Sequence, residues 1–342
     1  MSKTKAILYA FLAAVFYAIN VPVSKLLMAQ IEPTTMAALL YLGAGLGMSV
    51  LSVIDRSDKG EKLDQNDLPF VIGMIVLDIA APIFLMLGIS YGSSANASLL
   101  GNFEIVATTL IALLLFKEKV SRRLWAAIGL ITLSSIMLSF EETGSFRFSY
   151  GSLFVIAATI CWGLENNCTR SISSKDTYEI VVLKGIFSGL GALIIALLKH
   201  ESMPSFIYIA AALLLGFVAY GLSIFLYVRA QNLIGAAKTS AYYAVAPFIG
   251  SFLSFVFLKE ELTGIYLLSL LVMSAGASLA VADTLAHSHE HEHQHTYSHF
   301  HNGHMHTHTI VHCHAHDHFL TEGKHGHHHS LKELERAHIA HR

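Results

Sequence analysis

The stretch Leu115-Phe116-Lys117-Glu118-Lys119-Val120-Ser121 has a counterpart later in the chain, Phe257-Leu258-Lys259-Glu260-Glu261-Leu262-Thr263. Around these two stretches, residues 95–141 align without a gap with residues 237–283. Each copy contains an apolar run, a Lys-Glu pair, a hydroxyl residue and a second apolar run. The pattern favours an internal duplication, because self-similarity at one fixed offset is typical of repeat architectures.

The composition indicates a membrane protein. The chain is 54% hydrophobic and 13% charged, whereas soluble domains carry roughly 25% charged residues. Its net charge of −2 gives no indication of a nucleic-acid partner. The three cysteines predict no disulfide framework, since Cys161 and Cys168 accompany an apolar run and Cys313 lies in the polar tail.

Ten segments are long and apolar enough to cross a bilayer, which takes about 20 residues of α-helix. The predicted spans are 6–28, 34–54, 68–89, 94–116, 122–140, 149–168, 178–198, 205–227, 236–258 and 263–282. Each copy of the duplication closes a block of five spans. Because five is odd, the second block must lie upside down relative to the first. Inverted repeats with a site at their interface are a transporter architecture.

The predicted fold class is therefore an all-α membrane protein with ten transmembrane helices. They form two inverted five-helix repeats, followed by a disordered His-rich tail. The predicted domains are residues 1–145 for the first repeat, 146–284 for the second and 285–342 for a cytoplasmic tail.

The distribution of Lys and Arg predicts the orientation in the membrane. With the N-terminus inside, thirteen of these residues fall on the cytoplasmic side before the tail is counted. Four fall on the outer side, namely Lys25, Arg147, Lys199 and Lys259. We therefore expect an integral protein of the cytoplasmic membrane with both termini in the cytoplasm.

These features resemble the drug/metabolite transporter superfamily, and within it the EamA-type members, over about residues 6–283. The residues that carry the resemblance are Trp162-Gly163, Lys117-Glu118, Lys259-Glu260 and the small-residue run Ser274-Ala275-Gly276-Ala277. The first repeat departs from it, with Tyr17-Ala18 where the second has Trp162-Gly163. The resemblance implies two tandem five-helix repeats and secondary transport of small metabolites, amino acids or drugs, without naming a substrate.

Two carboxylates near the middle of predicted spans need a functional or structural explanation. Inserting a charged side chain at the centre of a bilayer costs at least ~2.5–3.5 kcal/mol. The two carboxylates are Asp78 in span three and Glu104 in span four. The short turn between these spans predicts that they pack as neighbours. The two acids could then bind a proton, a cation or an amine. Acids that hydrogen-bond between helices and serve packing only are the alternative.

The repeat alignment sets Glu104 against Ala246, which Pro247 follows near the middle of span nine. Pro247 is expected either to free a backbone carbonyl toward a cavity or to form a packed kink. Asn20 and Asn102 are candidates for lining the site, although most such amides simply hydrogen-bond between helices.

Glu165 and Lys184 lie near the end of span six and the start of span seven. Their opposite charges predict that they pair. One interpretation is a structural pair, and the other is a gate that opens and closes during transport.

The tail is dominated by histidine, with 20 of the 21 His residues between His287 and His341. Neutral imidazole is a common ligand for Zn, Ni, Co and Cu ions, so the tail is expected to bind several such ions loosely. The predicted ligands are His289, His291, His293, His295, His306, His308, His312, His314 and His316. Either a metal-exporting pore or a cytoplasmic buffer unrelated to the substrate would use such a tail.

The leading hypothesis for function is a proton- or gradient-coupled carrier of small organic solutes, which is not an enzyme and requires no cofactor. A divalent-metal exporter that uses the tail is the second hypothesis, and a membrane sensor or scaffold that moves nothing is the third. The expected partners are the solute and membrane lipid, with a homodimer left open. The absence of a Walker motif disfavours transport driven by ATP on this chain.

Overall fold

The structure is a computed structural model that describes residues 3–54, 61–116, 120–140, 149–172, 175–234, 239, 242–301 and 304–319. The chain forms two compact units, Met1–Asp283 and Thr284–Arg342. The first unit is helical throughout its described elements, and the second contains a β-hairpin. Lys117 and Glu118, which the sequence repeat singled out, lie outside the described residues.

Every predicted span coincides with helix in the described part of the chain. The helices are α1 (Lys3–Ala18), α2 (Asn20–Leu27), α3 (Pro33–Ile54), α4 (Leu68–Tyr91), α5 (Ser94–Leu100), α6 (Phe103–Phe116), α7 (Arg122–Ser139), α8 (Tyr150–Ser171), α9 (Thr177–Leu198), α10 (Phe206–Gly216), α11 (Ser223–Ile234), α12 (Ala246–Leu258) and α13 (Gly264–Leu285). A π-helical segment, Phe217–Leu222, joins α10 to α11. Among the described residues, seven helical stretches are long and apolar enough to cross a membrane, and α12 is a shorter apolar helix.

The fourth span of each repeat is broken near its middle. In the first repeat, Gly101 and Asn102 interrupt the helix between α5 and α6. In the second repeat, a turn at Ala244 and Val245 precedes α12. This turn lies within one residue of the positions that align with Gly101 and Asn102. Of the two expectations for Pro247, the packed kink is therefore replaced by a helix start, and a backbone carbonyl freed toward a cavity stays a prediction. Pro247 lies in the first turn of α12, where its missing amide hydrogen costs no helical hydrogen bond.

Helices α3 and α9, the second helix of each repeat, pack against one another in opposite directions. A Cβ atom at Gly185 would lie 2.4 Å from the backbone nitrogen of Gly45, and one at Gly189 would lie 2.7 Å from that of Leu42. Residue numbers thus rise along α9 as they fall along α3. Glycines allow this close approach of two backbones. Because equivalent helices run antiparallel, the two repeats are inverted.

The ends of α3 and α9 are joined by matching contacts, one from each repeat. The Glu201 carboxylate, just after α9, accepts a hydrogen bond of 2.7 Å from the amide of Thr35 at the start of α3. At the other end, the amide of Leu63, after α3, donates to the Glu179 carboxylate in the first turn of α9 at 3.2 Å. Glu201 therefore caps the start of α3, and Glu179 at the start of α9 binds the connection that follows α3, so each connection is held by a helix of the other repeat.

The first part of the tail differs from the disordered segment that its composition predicts. Ala286–His301 and His304–Phe319 form strands β1 and β2, which pair antiparallel along their whole length. The near-perfect alternation of His with other residues has the period of two that suits a strand. Pairing two such segments across a short connection satisfies backbone groups that a lone strand would leave open. Residues 320–342 lie outside the described residues.

Candidate functional site

The centre of the helical unit holds a buried charged triad formed by Asp78, Glu165 and Lys184. The Lys184 ammonium, from α9, lies 3.0 Å from Asp78 Oδ2 of α4 and 3.0 Å from Glu165 Oε1 of α8. The Asp78 side chain is completely buried, and the Glu165 side chain is 2% exposed. The Thr169 hydroxyl also donates a hydrogen bond to Glu165. One cation from the second repeat thus serves one acid from each repeat.

Aromatic side chains hold the other oxygen of Asp78. The Tyr41 hydroxyl, from α3, donates to Asp78 Oδ1 at 2.9 Å. The indole nitrogen of Trp162 donates in turn to the Tyr41 hydroxyl at 3.4 Å. Trp162 was visible in the sequence as part of the repeat pattern, whereas Tyr41 carried no signal there. These two residues extend the triad toward the repeat interface.

Glu104 lies in the first turn of α6, directly after the break in span four. Asn166 Nδ2 donates to Glu104 Oε1 at 2.6 Å, which joins α6 to α8. The close packing of these helices depends on Gly163, whose Cβ would lie 2.8 Å from Ala107 Cβ. Glu104 therefore has a neutral amide as its partner, whereas the other two acids share an ammonium.

Asn20 belongs to an aromatic cluster on the other side of the triad. Its Nδ2 donates to the Tyr220 hydroxyl at 2.9 Å, and its Oδ1 accepts from Ser24 at 3.1 Å. The Tyr220 ring lies 5.2 Å from the ring of Tyr41 and 5.9 Å from that of Tyr17. Tyr220 comes from the π-helical segment, a distortion that is frequent at functional sites. Asn20 and Tyr17 were visible in the sequence, whereas Tyr220 carried no signal there.

The structure brings together some of the predicted residues and separates others. Asp78 and Glu104 take different partners, because α8 and α9 supply the groups that contact them. Asn102 Nδ2 donates to the Leu99 carbonyl at 3.2 Å and so closes the local turn between α5 and α6. Pro247 begins a helix. The contacts of Asn102 and Pro247 are therefore those of helix ends.

The charges at this centre do not balance among the side chains described there. Asp78 and Glu165, both buried, share the single ammonium of Lys184, and the half-buried Glu104 adds a third carboxylate whose partner is a neutral amide. Buried charge without compensation is costly, so a bound proton or cation would stabilise the cluster. Among the side chains that the structure describes, no group of three or more His, Cys, Asp or Glu is arranged to hold a metal ion.

Broken spans, inverted repeats and a buried ionisable cluster at their interface define the class of membrane transporters. The model of the EamA-like transporter family matches residues 4–140 and 149–282. The chain belongs to this family. The two matched regions show the two-repeat architecture, while the exact division at residues 145 and 146 stays a prediction.

Two curated relatives are also named as transporters. The chain is 24% identical to an uncharacterized transporter of Methanothermobacter thermautotrophicus over 285 residues, covering 77% of this chain and 82% of the relative. It is 20% identical to the uncharacterized transporter YyaM of Bacillus subtilis over 257 residues, covering 71% and 82%. A solved crystal structure matches with a TM-score of 0.62 at 16% identity, covering 82% of this chain and 96% of the other. That likeness concerns the fold alone.

Proposed function

We propose that the protein is a secondary-active carrier that moves small organic solutes, such as metabolites, amino acids or drugs, across the cytoplasmic membrane. The observation that supports this best is the excess of carboxylates over ammonium groups at the interface of the inverted repeats, where the buried Asp78 and Glu165 and the half-buried Glu104 accompany Lys184 alone. An amine-bearing solute or a proton would supply the missing positive charge. Both termini lie in the cytoplasm in this proposal.

Glu104 is the acid that binds the exchangeable charge. Its partner is the neutral Asn166 amide at 2.6 Å, so binding a proton or an amine there displaces no ammonium. Its position in the first turn after a helix break fits the discontinuous helices that form transporter sites. The carboxylate can therefore change its partner while the surrounding helices stay packed.

The charged triad of Asp78, Glu165 and Lys184 acts as the gate that couples the repeats. Lys184 is held by Asp78 of the first repeat and by Glu165 of its own repeat, both at 3.0 Å. Rocking of one repeat against the other would break the first contact and keep the second. Alternating access in inverted-repeat carriers is largely such a rocking motion.

The first experiment compares the metabolites of cells that lack the protein with those of cells that overproduce it. A solute whose level moves in opposite directions in the two strains is then tested for exchange in proteoliposomes. Glu104→Gln can still accept the Asn166 hydrogen bond, so we expect it to fold and to lose at least about tenfold in transport rate. Exposed Glu261→Gln is the matched control. Full exchange by Glu104→Gln would contradict the assigned site.

Metal export is the second candidate, because the His-rich tail has metal-binding chemistry. Deletion of residues 287–342 tests it. Lower metal tolerance of cells that still produce the helical unit would support metal export. Unchanged tolerance would remove that candidate. A chain for which neither metabolite levels nor metal tolerance respond would favour the sensor or scaffold hypothesis.

A further inference from the structure

The register of the tail hairpin places histidines opposite one another. In six of the directly opposed residue pairs, both residues are His. These pairs are 287 with 318, 289 with 316, 291 with 314, 293 with 312, 299 with 306 and 301 with 304. Residues that oppose each other in an antiparallel pair belong to the same face of the sheet.

The alternation along each strand assigns every His of β1 and β2 to one face. Positions two apart along a strand share a face, and the His residues fall on odd numbers in β1 and on even numbers in β2. That face comprises His287, His289, His291, His293, His295, His299 and His301 of β1 with His304, His306, His308, His312, His314, His316 and His318 of β2, together with Tyr297 and Ile310. The other face carries Ser, Thr, Glu, Gln, apolar residues, one Asp and Cys313.

The spacing of these positions suits metal ligation. Directly opposed residues in an antiparallel pair have Cβ atoms about 4.5–5.5 Å apart. Successive positions on one face are about 7 Å apart along a strand. Imidazole nitrogens bind Zn²⁺ at roughly 2.0–2.1 Å, and Zn²⁺ is usually four-coordinate and tetrahedral. Two neighbouring His pairs place four such residues at positions of the register close enough to share one ion.

We propose that this hairpin binds divalent transition-metal ions as an ordered array of opposed His pairs. The array goes beyond loose binding by a His-rich composition, because affinity depends on which residues oppose each other. The six pairs group into three sets of neighbours, one at each end and one between them. They give the tail up to three four-histidine sites for ions such as Zn²⁺ or Ni²⁺.

The test keeps the amino-acid composition of the hairpin and changes only which residues oppose each other across the two strands. In the exchange variant, three His residues trade places with their neighbours in β2. The substitutions are His306→Thr with Thr307→His, His314→Ala with Ala315→His, and His318→Phe with Phe319→His, so that no other metal-binding side chain replaces a His on that face. Three opposed pairs are lost, one from each set of neighbours. Because the remaining β2 histidines keep their positions, a one-residue slip of the strands cannot restore all six pairs.

Full-length protein and the exchange variant are purified in detergent, stripped of metal, and titrated with Ni²⁺ and with Zn²⁺ by calorimetry. We expect the variant to lose at least tenfold in affinity at the tight sites. Equal site number and equal affinity in the two proteins would overturn the proposal. The visible absorption of bound Co²⁺ is the second measurement, since an array of four-histidine sites predicts an intense tetrahedral spectrum that weakens in the variant. An octahedral spectrum in both proteins would also overturn it.

The array is independent of the proposed carrier function, and the same proteins separate the two. The exchange variant is expected to keep the solute exchange of the parent in proteoliposomes. Glu104→Gln is expected to keep the metal titration of the parent. Failure of one assignment therefore leaves the other standing.

Discussion

The carboxylate of Glu260 accepts a hydrogen bond of 2.7 Å from the backbone amide of Ser94, and its second oxygen accepts one of 2.8 Å from Ala95. Glu260 belongs to the Lys-Glu hairpin of the second repeat, whereas Ser94 begins span four of the first. The first amides of a helix lack partners within the helix and favour an anion. The Lys-Glu pair that reveals the duplication in the sequence thus holds a broken helix of the opposite repeat.

Glu260→Gln removes the charge from these two hydrogen bonds and leaves a weaker acceptor for one of them. We expect the free energy of unfolding to fall by about 1–3 kcal/mol, because hydrogen bonds to charged groups are the stronger ones. Thermal unfolding of the purified protein in detergent measures the change. Its neighbour Glu261 is exposed, so Glu261→Gln is expected to unfold with the parent. Equal melting temperatures for both variants would contradict this role.

Lys184→Met leaves Asp78 and Glu165 buried without their shared ammonium. Breaking a buried ion pair in this way typically costs about 3–5 kcal/mol. We expect a large fall in melting temperature and no solute exchange. Lys62→Met, at an exposed position, is the matched control.

Neutralising the acids as well separates the charge effect from a packing effect. The triple variant Asp78→Asn, Glu165→Gln, Lys184→Met removes all three charges at once. It is expected to recover most of the stability that Lys184→Met loses, since no unpaired charge stays buried. It is expected to remain inactive, because the gate is gone. A triple variant no more stable than Lys184→Met would show that the triad stabilises through packing instead.

The apolar helices were predictable because length and apolarity are local properties of the sequence, and seven of the predicted spans, with a shorter apolar helix, are long and apolar enough among the described residues. The inversion was predictable as well, since it follows from an odd number of spans in each repeat. The pairing of Glu165 with Lys184 followed from two opposite charges at the ends of consecutive spans. All three inferences depend only on properties of residues that lie close together in the sequence.

The partners of the remaining site residues depend on how distant helices pack. Tyr41 contacts Asp78 only because α3 lies beside α4 and α9, and an isolated Tyr in an apolar run carries no such signal. The local contacts of Asn102 and Pro247 could not be predicted for a different reason. Asn102 closes a turn at the break in the first repeat and Pro247 lies in the first turn of the helix after the break in the second, and a sequence does not show whether a Pro kinks a helix or begins one.

The hydrogen bonds of Glu201, which joins the end of α9 to the start of α3, predict that the stability of the protein depends on pH. Burial raises the pKa of its carboxyl, but hydrogen bonds from Lys199, Thr34 and Thr35 outweigh burial and hold the pKa below its ordinary value. A depressed pKa in the folded protein stabilises it above the unfolded pKa, about 4.3 for Glu, and this contribution is lost as the pH falls through the folded value.

The difference in stability between the parent and Glu201→Gln measures that contribution. We expect the parent to be the more stable protein at every pH above about 5, by a constant margin. Below that pH the margin is expected to shrink, since the carboxyl of the parent becomes protonated. Thermal unfolding of both proteins between neutral and acidic pH checks the trend. A difference in stability between the two proteins that does not change with pH would contradict a stabilising role for the Glu201 charge.

Gly185→Ala tests the antiparallel contact on which the inversion rests. The added Cβ would lie 2.4 Å from the nitrogen and 2.5 Å from the Cα of Gly45, and backbone atoms cannot rotate away as a side chain can. Overpacking of this kind typically costs about 1–3 kcal/mol. Gly129→Ala is the matched control, because a Cβ there meets nothing within 4 Å, and Ala favours a helix over Gly by about 1 kcal/mol. We therefore expect the two identical substitutions to shift the melting temperature in opposite directions, and a Gly185→Ala protein as stable as the parent would exclude the close crossing of α3 and α9.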